Sequence, residues 1–151
     1  MPIAVNADRF PPLTPERAVR WQAFPGTDQT FFPGLVGLVL EEVRVDYARM
    51  RLPYRPELLQ PAGVVHGGAL ATLVDTVVVP AIASAFTEPR RMVTVDMHLQ
   101  YFDAVMGEDA IAEGWIEKRG RSLVFCRAEI RTASGTLAAA ASLVYKVSAA
   151  A

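Results

Sequence analysis

The sequence predicts an α+β fold: one long, nearly all-apolar helix wrapped by about six mostly antiparallel strands. Two observations predict it. Between Ala62 and Thr87 the chain reads AGVVHGGALATLVDTVVVPAIASAFT, in which His66 and Asp75 are the only ionisable side chains. A helix apolar on nearly all sides is one enclosed by protein. Beyond it the apolar period falls to two, in segments separated by turn residues. A membrane span is disfavoured for the Val64 to Phe86 run by its central Asp75, its two glycines and Pro80.

Each element has its own signal. Thr14-Pro15-Glu16 is a helix start, with an N-cap, proline at the first helical position and an acid in the first turn, and Pro25-Gly26 stops that helix near Phe24. Leu35 to Val45 and Tyr47 to Leu52 are Val- and Leu-rich and favour two strands. Arg55 to Gly63 is a Pro-containing loop feeding the long helix. In Met92 to Phe102, Val93, Val95, Met97, Leu99 and Tyr101 alternate with Thr94, Asp96, His98 and Gln100, the pattern of a half-buried strand. Glu108 to Lys118 and Ser122 to Arg131 flank a turn at Arg119-Gly120-Arg121, and Leu137 to Val147 follows Ser134-Gly135. Residues 1–34 therefore form an N-terminal extension with a short helix, 35–147 one domain, and 148–151 a tail of small residues.

Composition excludes several function classes. A chain of 151 residues, 52% hydrophobic, is one domain able to bury roughly 70% of its unfolded surface. Its net charge of −1 disfavours a nucleic-acid partner, so a charged ligand must be met by local patches. The start, MPIAVNADRFPPLTPERAV, shows no secretory signal, and the single Cys126 fits a reducing, cytoplasmic setting. Cys126 shares a strand face with Val124, Ala128 and Ile130 and reads as a small core residue; Trp21, Trp115 and Tyr145 read as packing. His66 and His98 lie on different elements, so no metal site and no cofactor are expected.

The chemistry concentrates in the apolar segment. A mid-helix carboxylate costs several kcal/mol to desolvate unless it is compensated, so Asp75 has either a partner or a task. A hydroxyl such as that of Thr72 would give it a purely structural explanation. Ahead of it, His66-Gly67-Gly68 exposes backbone N–H groups at a helix start, where the dipole adds positive potential. His66 taken alone shapes the glycine turn.

Gly63-Val64-Val65-His66-Gly67-Gly68 followed by Leu70-Ala71-Thr72-Leu73-Val74-Asp75 resembles the signature of hotdog-fold acyl-CoA thioesterases of the phenylacetate-pathway, PaaI-like type. Val93 to Met97, Gly107-Glu108-Asp109 and Lys118 to Phe125 are similar to the same family in order and spacing. The resemblance spans Leu35 to Val147 and implies a curved sheet around the central helix, and dimers, or dimers of dimers, with sites at the subunit interface. It implies hydrolysis of an acyl-CoA or aryl-CoA thioester. Gly67 N–H would stabilise the carbonyl oxyanion and Asp75 would act as general base or nucleophile. Gln60 would position carbonyl or water, Thr94 would orient the water, and His66 would stand beside them. Alternation puts Thr94 with Asp96 and His98, so a bulge or dimer contact is required to bring it to Asp75. Gly68 with Lys118, Arg119, Arg121, Arg90 and Arg91 would meet the coenzyme A portion. Val79 stands where the hydroxybenzoyl-CoA branch carries a Thr, which favours the PaaI-like type. The N-terminal segment could cap the site and narrow it toward aryl or medium-chain groups.

Gly67 and Asp75 are eight residues apart, about 12 Å along a helix, so acting on one carbonyl would require two chains. A non-catalytic acyl-CoA-binding protein on the same fold is the alternative. A hydratase would need a different Asp and His pairing on its helix.

Overall fold

A computed structural model describes residues 6–25 and 31–150. In chain order its helices and strands are α1 (Pro15–Ala18), α2 (Phe32–Val36), β1 (Val39–Arg44), β2 (Tyr47–Leu52), α3 (Gly67–Ala83), β3 (Arg90–Tyr101), β4 (Ala110–Arg119), β5 (Leu123–Thr132) and β6 (Leu137–Ala149). Every strand pairing is antiparallel, in the order β1-β2-β4-β5-β6-β3. The α+β class and the helix-in-sheet arrangement expected from the sequence are therefore present.

The Thr14 carbonyl accepts the Arg17 and Ala18 N–H groups. The helix it starts is shorter than expected: α1 passes at Val19 into one 3₁₀ turn ending at Trp21. Gly26, half of the expected stop, lies outside the described residues. The strand expected from Leu35 begins instead at Val39. Leu35 and Val36 belong to α2, which starts with Pro33 in its first turn and ends at Gly37, whose φ of 85° is open to glycine. A short apolar run does not distinguish a helical turn from a strand.

Helix α3 packs against β2, β4 and β5. Leu73, Val74, Val77, Val78, Ala81 and Ile82 are all fully buried, so the helix is enclosed on most of its circumference. It passes closest to β4 at Gly114, where an added Cβ would lie 2.8 Å from Val77 Cγ1 and 3.3 Å from the Val77 backbone. Neither the fully buried Val77 side chain nor its backbone can retreat. Gly114→Val is expected to destabilise the fold by about 1–3 kcal/mol, seen as a lower urea midpoint with an unchanged slope.

On the opposite face of β2 and β4, residues Ala7 and Phe10 pack on Tyr47 and Trp115. The Phe10 and Tyr47 rings are stacked at 5.4 Å. Beneath them the buried Glu113 carboxylate accepts the Tyr47 hydroxyl at 2.6 Å and the Asn6 N–H at 3.1 Å. Burial, reinforced by that carboxylate, pushes the Tyr47 hydroxyl well above its ordinary range, so it stays a donor.

Strand β3 departs from simple alternation. Thr94 pairs with Tyr145 and Asp96 with Val144, leaving Val95 as the extra residue of a bulge. The bulge reverses the faces. Met92 and Leu99 pack on the core, while Val93 and Val95 stand 53% and 58% exposed on an edge strand.

Candidate functional site

The first part of the site is the start of α3. His66 is the N-cap in extended conformation, and its Nδ1 accepts the Gly68 N–H at 2.8 Å. That bond leaves Nε2 as the protonated nitrogen of the neutral ring. Its carbonyl takes the N–H groups of Ala69 and Leu70. Gly67 N–H has no hydrogen-bond partner among the described residues, and it sits at the positive end of a 17-residue helix. On the other side of the peptide, the Tyr101 hydroxyl donates to the Gly67 carbonyl at 2.7 Å. A Cβ at Gly67 would lie 3.3 Å from the Tyr101 ring carbon that bears the hydroxyl. Cap and tyrosine together fix the Gly67 backbone.

Gln60 reaches this place through a tight loop. Its N–H donates to Val64 O and its carbonyl accepts Gly63 N–H, each at 2.9 Å. Its side-chain Oε1 accepts Ala62 N–H at 2.7 Å, which leaves the amide N–H groups as donors. Gln60, Gly67 and Tyr101 line one cleft of about 440 Å³.

Asp75 forms the second part. Its Oδ1 accepts the Tyr145 hydroxyl at 2.6 Å and the Thr94 hydroxyl at 2.9 Å. The Tyr145 oxygen also lies 2.7 Å from the Asp75 main-chain carbonyl. Oδ2 accepts no hydrogen bond among the described residues, so one oxygen is anchored and the other is open. Burial, then the Asp75 carboxylate, pushes the Tyr145 hydroxyl well above its ordinary range, which keeps it a proton donor to Oδ1. Thr94 reaches Asp75 because of the Val95 bulge. Without it, alternation would not carry both Thr94 and Leu99 inward.

The two parts lie apart within one chain. Eight residues along α3 separate Gly67 from Asp75 by about 12 Å. Thr72 does not reach the carboxylate and donates instead to Gly68 O at 2.9 Å.

Tyr145 and Tyr101 are the site residues that sequence reasoning assigned to packing or to a strand face. A signal for Tyr145 existed. The inward face of β6 runs Ala139, Ala141, Leu143, Tyr145, and its only hydroxyl stands across from Thr94.

The basic residues divide by role. Arg119 is engaged inside the fold: Nε donates to Asp46 Oδ1 and Nη2 to the Ile82 carbonyl, each at 2.9 Å, which holds the end of α3. Arg90, Arg119 and Arg121 line a cleft of about 430 Å³ with Phe86, and the Arg90 guanidinium lies 5.0 Å from the Phe86 ring centre. Lys118 and Arg91 are exposed and are not among its lining residues. Cys126 is buried in the core, and burial pushes its thiol up to about 12, so it is no thiolate nucleophile. Among the described residues, no three His, Cys, Asp or Glu side chains group as a ligand set, and no helix is long and apolar enough to cross a membrane.

Comparison with known proteins follows the same outline. A provisionally named esterase of Halobacterium salinarum is 29% identical over 106 residues, spanning 67% of this chain and 70% of that protein. The Escherichia coli PaaI protein of the phenylacetic acid degradation operon superposes with a TM-score of 0.75 at 16% identity, covering 87% of this chain and 93% of its own. A hypothetical thioesterase of Streptococcus pneumoniae, solved with coenzyme A, superposes with a TM-score of 0.69 at 20% identity, covering 75% of this chain and 87% of its own. The thioesterase superfamily model matches residues 62–139, from the loop before α3 into β6. The chain belongs to the thioesterase superfamily and is a hotdog-fold thioester hydrolase.

Proposed function

We propose that the protein hydrolyses acyl-CoA thioesters at a site shared by two protomers, with Gly67 N–H from one and Asp75 from its partner. The observation that carries this reading is the asymmetric Asp75 carboxylate, tied through Oδ1 and open at Oδ2. A carboxylate serving packing alone has no reason to leave an oxygen without a donor.

The carbonyl oxygen of the thioester gains negative charge as the tetrahedral intermediate forms. Gly67 N–H, without a partner among the described residues and backed by the helix dipole, supplies a donor fixed before the reaction begins; such a donor is typically worth about 10²- to 10³-fold in rate. The Gln60 amide, in the same cleft, holds the carbonyl or the attacking water. In one route Asp75 Oδ2 takes a proton from the water that attacks the carbonyl carbon, and collapse of the intermediate expels the thiolate, which recovers that proton. In the other Oδ2 attacks the carbonyl carbon, the thiolate leaves, and water hydrolyses the resulting mixed anhydride to the free acid and the restored carboxylate. Thr94 and Tyr145 keep the carboxylate pointed and solvate Oδ1 in both routes.

Pairing of two chains has independent support. Edge strand β3 presents Val93 and Val95 to the exterior, with exposed Phe102 just beyond its end, and no strand pairs with its outer edge among the described residues. Such an edge is normally covered, and a two-fold contact covers both copies at once. For the coenzyme, the cleft bearing Arg90, Arg119 and Arg121 offers cations to phosphate.

Thiol release from a panel of acyl-CoA and aryl-CoA substrates tests the reading. Hydrolysis should occur and survive chelation, because oxyanion donor and base are both protein groups. Tight acyl-CoA binding with no thiol release from any substrate would instead support a non-catalytic binder.

Tyr145→Phe tests the anchoring of Oδ1. Losing a hydrogen bond to a charged group costs about 1.5–3 kcal/mol, roughly 10- to 100-fold if all of it is felt in the transition state. The loss is expected in kcat with KM little changed. An equal rise in KM at constant kcat would make Tyr145 a binding residue only.

A further inference from the structure

Asp75, Val79 and Ala83 are spaced at i, i+4 and i+8, so they form one stripe along α3. On β3, Met92 stands two residues before Thr94 on the same inward face. Both elements lead away from the carboxylate in the same direction. One helical turn past Asp75 they open into a cleft of about 410 Å³, with Val79 and Ala83 on its helix side and Met92 on its strand side. Trp21 and Phe24 of the N-terminal segment also line it, as an edge-to-face pair with ring centres 5.7 Å apart.

The aromatic wall is fixed in place. Arg20 Nη1 donates to Phe86 O at 2.7 Å and Arg20 Nη2 to Ala83 O at 3.3 Å, while Arg17 donates to Ser84 O. These carbonyls lie at and just beyond the C-terminus of α3, where the helix dipole favours cations. The same bonds occupy the Arg20 guanidinium, which also lies 4.9 Å from the Trp21 ring centre. Arg90 lines this cleft as well as the arginine cleft at the β4-β5 turn, with its guanidinium 5.0 Å from the Phe86 ring centre; the rest of the lining is mainly aliphatic and aromatic.

We infer that this cleft receives the acyl group of the thioester, and that Trp21 and Phe24 set the length and bulk it accepts. The inference rests on Asp75 as the reacting carboxylate. A carbonyl carbon placed at Oδ2 sends its substituent along the Val79 and Ala83 stripe, a run of about 12 Å from Asp75 to Ala83. An apolar substituent gains by leaving water against the Trp21, Phe24, Val79, Ala83 and Met92 surface. Trp21 and Phe24 are thus specificity-determining residues for an apolar acyl group.

The test is the ratio of kcat/KM for dodecanoyl against butyryl thioesters, because both substrates sample the same population of folded protein. Trp21→Ala removes part of the wall and should raise the ratio by about 10-fold or more, the discrimination a hydrophobic pocket achieves by size. Thr87→Trp adds bulk at an exposed position lining the cleft and should lower it. This second variant keeps the test decisive if Trp21→Ala does not fold. Both ratios are measured with coenzyme A thioesters and with N-acetylcysteamine thioesters, which lack the nucleotide. Equal changes in the two series place the acyl group in the cleft. A change confined to the coenzyme A series would assign the cleft to the coenzyme and overturn the inference, as would unchanged ratios in both variants. Absence of thiol release from every thioester by the unaltered protein would overturn the hydrolase site on which the inference rests.

Discussion

Asp75→Asn is expected to lower kcat by at least about 100-fold, the range associated with loss of a general base, while the protein remains folded. The two side chains are nearly isosteric. The Asn oxygen can still accept the Tyr145 and Thr94 hydroxyls that now bond Oδ1, so the helix and β3 keep their connection. At the open position an amide nitrogen replaces Oδ2, and it can neither take a proton nor attack a carbonyl carbon. Substrate binding depends on surfaces elsewhere, so KM should move much less than kcat. Steady-state thiol release, with thermal melting to confirm the fold, gives both quantities. A variant turning over near the normal rate would reduce Asp75 to a packing residue.

The parts of the site that the sequence displayed are those encoded over short distances. His66-Gly67-Gly68 signals a helix start because cap, missing side chains and dipole all act within one turn. Asp75 stands out because nothing else ionisable lies between His66 and Thr87. The later strands were visible through alternation alone. What the sequence concealed depends on partners far along the chain. A β3 bulge was one of two ways to bring Thr94 to Asp75, but its place at Val95 is a mismatch of register between β3 and β6 and belongs to neither strand alone. Tyr145 joins Asp75 only because β6 lies between β5 and β3 in the sheet, an order that alternation does not contain. Tyr101 shares the face of Leu99 by simple alternation, but that this face meets Gly67 depends on how β3 lies across the start of α3. The false strand start at Leu35 has a local cause: four apolar residues of α2 precede Gly37 with Pro33 among them, and no period can be read from so short a run.

The positions of the two arginine groups refine the expected distribution of charge. Arg17, Arg20 and Arg119 all reach carbonyls at or just beyond the end of α3, so three cations serve the helix C-terminus. Arg90 and Arg121 remain the better placed for a phosphate.

The central claim is that Gly67 and Asp75 act on one thioester from different chains, because the helix holds them about 12 Å apart within a chain. Mixing two inactive variants tests it most directly. Gln60→Ala and Asp75→Asn should each be nearly inactive as homodimers, since both copies of the site are damaged. After subunit exchange, a mixed dimer has one site with Gln60 and Gly67 from the Asp75→Asn chain and an intact Asp75 from the Gln60→Ala chain. Its other site carries both lesions. Random exchange of equal amounts makes about half of the dimers mixed, each with one good site, so activity should recover to about one quarter of that of the unaltered protein. Native mass spectrometry confirms that exchange has occurred. No recovery from demonstrably mixed dimers would contradict the shared site and return both groups to a single chain.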